Sequence, residues 1–171
     1  NNLLGVTKEE LEQYFLDIGE KKFKATQIFE WLYQKRVFNI DEFSNVKKEI
    51  RERLKNDFNL HFIEIEKKEE DELTKKYLFR LQDQEFVEAV IMMHDYGTSI
   101  CISSQVGCNM GCRFCESGRQ KKIRNLEAYE MVEQILVVEK DLGVRISSVV
   151  IMGIGEPLDN FDNIISFIKI I

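Results

Sequence analysis

No apolar run in these 171 residues approaches the roughly 20 that a membrane-spanning helix needs. The opening "NNLLGVTKEE" lacks both the basic start and the apolar stretch of a secretory leader. Positive charge is short too: 24 Lys and Arg stand against 30 Asp and Glu, for a net charge of −6. That balance argues against a protein that holds nucleic acid by bulk attraction, because phosphate neutralisation favours a basic face. A local cluster can override the average, and Arg119, Lys121, Lys122 and Arg124 form one, although they read equally well as a solvated loop. Histidine is nearly missing, and His61 and His94 stand alone, each in keeping with an ordinary strand or turn residue. The chain is therefore expected to be cytoplasmic, with no membrane partner, and to keep its thiols reduced rather than stapled as disulfides. With 44% hydrophobic and 11% aromatic residues it has the material for a packed core, in one ordinary domain or two small ones. It starts without Met and stops at "FIKII", an apolar run with no breaker, as if cut within a fold.

The hydrophobic period changes along the chain. Thr7 and Glu10 make a T-x-x-E capping box ahead of Leu11, Tyr14, Phe15 and Ile18, whose spacing gives one apolar helical face that Gly19 ends. Further helices are expected from about Lys24 to Lys35 and from about Val46 to Phe58, so residues 1–60 read as a small all-helical domain. From residue 61 to 98 the pattern shortens to strands, in "HFIEIEKK", "KKYLFRL" and "EFVEAVIMM", a β-rich connecting segment. Residues 99–171 alternate: the strand "TSICISS", a loop, a helix through Met131, Ile135 and Val138 to Gly143, then the buried strand "ISSVVIMGIGEP" and a last helix. This βαβα order predicts an α/β fold with a parallel sheet, whose ligand sites lie at the strand C-terminal ends.

One such end carries "CNMGCRFC", where Cys108, Cys112 and Cys115 fall within eight residues, and Cys101 lies seven positions upstream. A short loop lets three successive thiolates converge on one small inorganic centre. A structural zinc ion wants four closed ligands, and Cys101 would have to complete the set. A [4Fe–4S] cluster held by three thiolates instead keeps one iron open to a bound molecule. The residues alone leave both open.

The spacing C-x3-C-x2-C at the end of a strand, with "GIGEP" about forty residues on, resembles the radical-SAM superfamily. In "CISSQVGCNMGCRFC", "RNL" at Arg124 to Leu126, "MGIGEPLDN", "VEAVIM" and the N-terminal "GEKKFKATQIFEWLYQKRV", the chain further resembles the RlmN and Cfr family. That family methylates an adenine of large-subunit ribosomal RNA. The resemblance implies the start of a partial (β/α) barrel behind a helical RNA-associated domain. It implies a [4Fe–4S] cluster on Cys108, Cys112 and Cys115, and S-adenosyl-L-methionine contacted by Gly155 and Glu156. It implies Cys101 as the thiol that releases the product and Glu88 as the proton acceptor, where a carboxylate on a half-buried strand suits a base working near neutral pH. A methyl-carrying cysteine is implied near the end of a chain about twice this long, so these residues alone are not expected to turn over. The implied partners are 23S rRNA, with tRNA as a second candidate substrate, and an electron donor such as flavodoxin or ferredoxin, for a monomeric enzyme. The family's housekeeping members methylate C2; Cfr-like C8 methylation is the alternative, as is a non-catalytic zinc-stabilised RNA-binding module.

Overall fold

The computed structural model describes all 171 residues, which divide into two compact units: Asn1–His61 with Ser166–Ile171, and Phe62–Ile165. The first unit is helical. Helix α1 spans Lys8–Asp17, and both halves of its capping box form: the Thr7 side chain accepts from Glu10 N–H, and the Glu10 carboxylate accepts from Thr7 N–H at 2.8 Å. Such a cap stabilises the first turn by about 1 kcal/mol. Helix α2 spans Phe23–Phe29, shorter than the period suggested, because the chain widens into a π-type turn over Glu30–Gln34. Helix α3 spans Lys48–Asp57. Leu11, Phe15, Ala25, Ile28, Leu32, Phe43 and Leu54 are buried between them. Tyr14 leans out of that core to donate to Asp57 at 2.7 Å, and burial followed by that bond pushes its phenol up to about 12.

The second unit is a mixed sheet with one long helix. Strands β1 (Glu64–Glu70), β2 (Thr74–Arg80), β3 (Phe86–His94) and β4 (Gly97–Cys101) form an antiparallel meander. A two-stranded ribbon follows, β5 (Gln105–Val106) with β6 (Arg124–Asn125), which the alternation pattern is too short to reveal. Helix α4 (Ala128–Leu142) ends at Gly143 in the left-handed conformation. Strand β7 (Ser148–Val150) then pairs parallel with β4, giving the sheet order β1-β2-β3-β4-β7. A 3-10 turn at Pro157–Asn160 leads into helix α5 (Phe161–Ile170). The expected parallel sheet is thus realised only at the β4–β7 pair, the rest being antiparallel. Strand β7 is also shorter than its apolar run and half-buried, because the run's last residues are drawn into the turn after it.

Alternation decides which sheet face is covered. Tyr77, Phe79, Val87, Ala89, Ile91 and Ile100 are buried, whereas Leu78, Glu88, Val90 and Cys101, on the opposite face, are half-buried. The charged β1 is mostly exposed, a composition that discourages further pairing at an edge. Asp141 on α4 ties the sheet to the helix, accepting from Tyr77 Oη at 2.7 Å and from Lys68 Nζ at 2.8 Å. The Lys68 bond first, then that of Tyr77, holds the Asp141 carboxyl below the usual range. The stability it contributes is therefore present above the ordinary carboxylate pKa of about 4 and is lost as pH falls through the lower folded value. Asp141→Asn should cost about 1–2 kcal/mol at pH 7 in urea melts. The difference should vanish in melts run well below that range.

Candidate active site

Because β4 and β7 are parallel, with Cys101 opposite Val150, both chains leave the sheet at the same end. The backbone beyond them is stitched together. Ile102 N–H donates to Val150 O at 2.9 Å, Gly153 N–H to Ile102 O at 2.9 Å, and Ser104 and Gln105 N–H to Ile154 O at 2.9 and 3.1 Å. Ile154 N–H in turn donates to Ser103 Oγ at 3.0 Å. A side chain at Gly153 would come within 2.7 Å of Ile102 O, so only glycine allows this approach.

The Gly-rich turn rests on a buried polar network. Gln105 is fully buried; its Oε1 accepts from Glu156 N–H at 2.9 Å and its Nε2 donates to Asn125 Oδ1 at 2.8 Å. Asn125 donates onward to Asp159 O at 3.0 Å. Asn160 donates to Ser104 O and Leu126 O, at 2.9 and 2.8 Å, and Gln134 of α4 clasps Ser103 through both its N–H and its carbonyl. These residues complete each other's bonds, which is the condition for burying them. Gln105, Gln134 and Asn160 did not figure among the sequence candidates. Gln134 nonetheless left a trace there, a polar residue three positions after Met131 on the apolar stripe of a helix.

Gly155 and Glu156 lie in this turn. Gly155 has φ +110°, and Gln105 fills the space where its side chain would stand. The Glu156 carboxylate accepts from Leu158 N–H at 3.0 Å, capping the 3-10 turn, so it carries a local structural task beside the binding role expected of it.

The cysteine loop is clamped at its base and open at its tip. Cys108 N–H donates to Gln120 O at 2.9 Å, Lys122 N–H to Asn109 Oδ1 at 3.0 Å, and Ile123 N–H to Val106 O at 2.8 Å. Gly107 sits in the left-handed region where any side chain would overlap the Lys121 carbonyl. At the tip, Cys115 N–H donates to Cys112 O at 3.1 Å. All four cysteines are unpaired thiols; Cys112 is exposed, and Cys108 and Cys115 are half-exposed. No group of three or more His, Cys, Asp or Glu side chains is gathered as a ready metal site, so neither the trio nor the trio with Cys101 is closed into a ligand set. The donor chemistry fits a [4Fe–4S] cluster: three accessible thiols lie on one short loop, and two apolar side chains, Met110 and Phe114, face solvent beside them.

Cys101 and Glu88 share the half-buried sheet face. Cys101 pairs with Val90, two residues from Glu88 on β3, which makes Cys101 and Glu88 diagonal neighbours, about 7–8 Å apart in a regular ladder. Ser103 Oγ donates to Glu88 O at 2.6 Å and pins the strand there. The Glu88 carboxylate is not alone on the strand, for Lys76 Nζ lies 2.8 Å from it. Of the basic cluster, Arg124 is committed within the fold. It bonds both oxygens of the buried Glu130 at 2.8 Å and Asp83 at 2.6 Å, which raise it further above its usual range, Glu130 most. Arg119 pairs with Glu116 at 3.1 Å on the surface.

The model of the ribosomal RNA large subunit methyltransferase N-terminal domain matches residues 1–60, and that of the radical SAM superfamily matches residues 102–171. The probable dual-specificity RNA methyltransferase RlmN of Clostridium novyi is 44% identical over 172 residues, covering 99% of this chain and 50% of that protein. Those of Enterococcus faecalis and Staphylococcus epidermidis are 46% and 48% identical, covering 99% and 95% of this chain and 49% and 46% of theirs. A crystal structure of a radical SAM methyltransferase from Sphaerobacter thermophilus superposes with a TM-score of 0.86 at 32% identity, over 99% of this chain and 51% of that one. The chain thus spans about half the length of the relatives it matches. With a helical unit matching the one model and a cysteine loop and Gly-rich turn matching the other, the chain matches the RlmN-type radical SAM RNA methyltransferases over about half their length.

Proposed function

We propose that the protein of which these residues form a part methylates C2 of an adenine in 23S rRNA, with tRNA as a second substrate, as a monomer in the cytoplasm. Residues 1–60 serve as the RNA-associated domain, 61–98 lead into the barrel, and 99–171 begin it. The observation that carries the reading is the placement of Cys101 and Glu88 on one half-buried sheet face, at the strand end from which both the cysteine loop and the Gly-rich turn depart.

Each residue has a task. Cys108, Cys112 and Cys115 would hold the [4Fe–4S] cluster. Gly155 would let the backbone approach S-adenosyl-L-methionine closely, and Glu156 has a second carboxylate oxygen for its amino group. When bound and reduced by flavodoxin or ferredoxin, the pair supplies the methyl carbon and the radical chemistry that an electron-poor amidine carbon requires. Glu88 takes the ring proton of the adenine once that carbon is attached to a cysteine outside these residues. Cys101, as thiolate, attacks the bridging sulfur: a disulfide forms, the sulfur–carbon bond breaks, and its electron pair leaves with the carbon, which takes a proton to become the methyl group.

The test uses the full-length protein, reconstituted anaerobically with iron and sulfide. Brown protein that adds a methyl group to C2, read by mass spectrometry of the RNA nucleosides, is the expected result. Colourless protein with one tightly bound zinc would establish the binding module instead, and a methyl group at C8 would move the assignment to Cfr-like chemistry.

A further inference from the structure

Glu88 is held by a partner that no sequence pattern announced. Lys76 on β2 pairs with Val90 in register, and Leu78 with Glu88, so Lys76 reaches Glu88 along the diagonal of the β2–β3 ladder. Its Nζ lies 2.8 Å from Glu88 Oε1. The pair lines a shallow hollow of about 150 Å³ with Lys67, Glu69 and Leu78. The other charged groups there, from β1, are committed to each other, with Lys67 Nζ 2.6 Å from Glu69 Oε1. On the β4 side Glu88 has Cys101 on its diagonal and, beyond the end of that strand, Ser103, whose hydroxyl binds the Glu88 backbone. Lys76 is therefore the one cation paired with the Glu88 carboxylate.

We propose that Lys76 is the positioning residue for Glu88: its ammonium holds the carboxylate in one orientation on the half-buried sheet face, ready to take the adenine ring proton. This rests on the reading of Glu88 as proton acceptor. In the step itself the ring C–H bond breaks heterolytically, the proton passes to a Glu88 oxygen, and the electron pair stays in the ring. Lys76 keeps its own proton throughout, since the Glu88 bond raises it above the ordinary lysine range. Removing the cation should leave the carboxylate free to turn away from the ring, so that proton transfer slows while RNA binding is kept.

The experiment measures the single-turnover rate of RNA methylation at saturating RNA, and the RNA Kd, for the full-length, cluster-loaded enzyme in wild type, Lys76→Met, Lys76→Arg and Glu88→Gln. Lys76→Met should lower the saturated rate about tenfold with the RNA Kd unchanged, while Lys76→Arg, which can still pair with the carboxylate, keeps the wild-type rate. A Lys76→Met rate equal to wild type would overturn the inference, as would Lys76→Arg falling as far as Lys76→Met. Glu88→Gln separates the two levels. If it is slow while Lys76→Met keeps the wild-type rate, only the role of Lys76 fails; if it turns over at the wild-type rate, the assignment of Glu88 fails and takes the inference with it.

Discussion

Cys101→Ala in the full-length enzyme should lower methylated RNA by a factor on the order of 10³ or more and leave a covalent RNA–protein adduct that survives denaturation. The reason is that, in the proposed mechanism, Cys101 supplies the only step that cuts the bridge. Without its sulfur the carbon stays bonded to both the ring and the protein, and no neighbouring group can substitute. Glu88, its diagonal neighbour, can accept a proton but cannot form a disulfide. The fold should be little affected, because Cys101 is half-buried at the last position of β4, where Ala also fits a strand. Denaturing gels of labelled RNA read the adduct directly. Wild-type product with no adduct would remove Cys101 from the mechanism, and a colourless variant would instead make it a metal ligand.

Gly155→Ala should weaken S-adenosyl-L-methionine binding by at least about tenfold and destabilise the turn by about 1–3 kcal/mol. Two costs combine. The backbone at φ +110° is one that side-chain-bearing residues rarely adopt, and the added carbon would stand 2.6 Å from Gln105 Cβ and 2.9 Å from its backbone nitrogen. Gln105 cannot yield without releasing Glu156 N–H and Asn125, the two groups that fix the turn to the ribbon. Gly143→Ala provides the control: φ is +66°, but nothing lies within 4 Å, so it pays backbone strain alone. Calorimetric titration of both variants decides. Equal loss of affinity in the two would show that the collision with Gln105 is irrelevant to the site.

Several features could be read from residue order because their causes are local. The Thr7–Glu10 box is made by residues three apart, and it forms as its spacing requires. Gly143 ends α4 because the left-handed conformation suits glycine. The three-cysteine spacing and the "GIGEP" turn carry their chemistry in short segments, so the family could be recognised before any geometry. The early end of β7 and the two-residue ribbon could not, since each depends on bonds to segments far along the chain. The same holds for Arg124. As one of four clustered cations it suggested an RNA contact, yet Asp83, forty-one positions earlier, and Glu130 occupy it.

What residue order determined alone was the chemistry on offer: four thiols in a fixed spacing, a Gly-rich turn, a strand glutamate, and a helical segment ahead of them. The tertiary structure decided which of these meet. Strand register set Cys101 beside Glu88 and let Lys76 reach that carboxylate, because a one-residue slip would have turned each to the opposite face. The parallel pairing of β4 with β7 brought the cysteine loop and the Gly-rich turn to one end, where Gln105 and Asn160 lock them. Spacing fixes contacts within a few residues; pairing between strands, which no short segment encodes, fixes all the others.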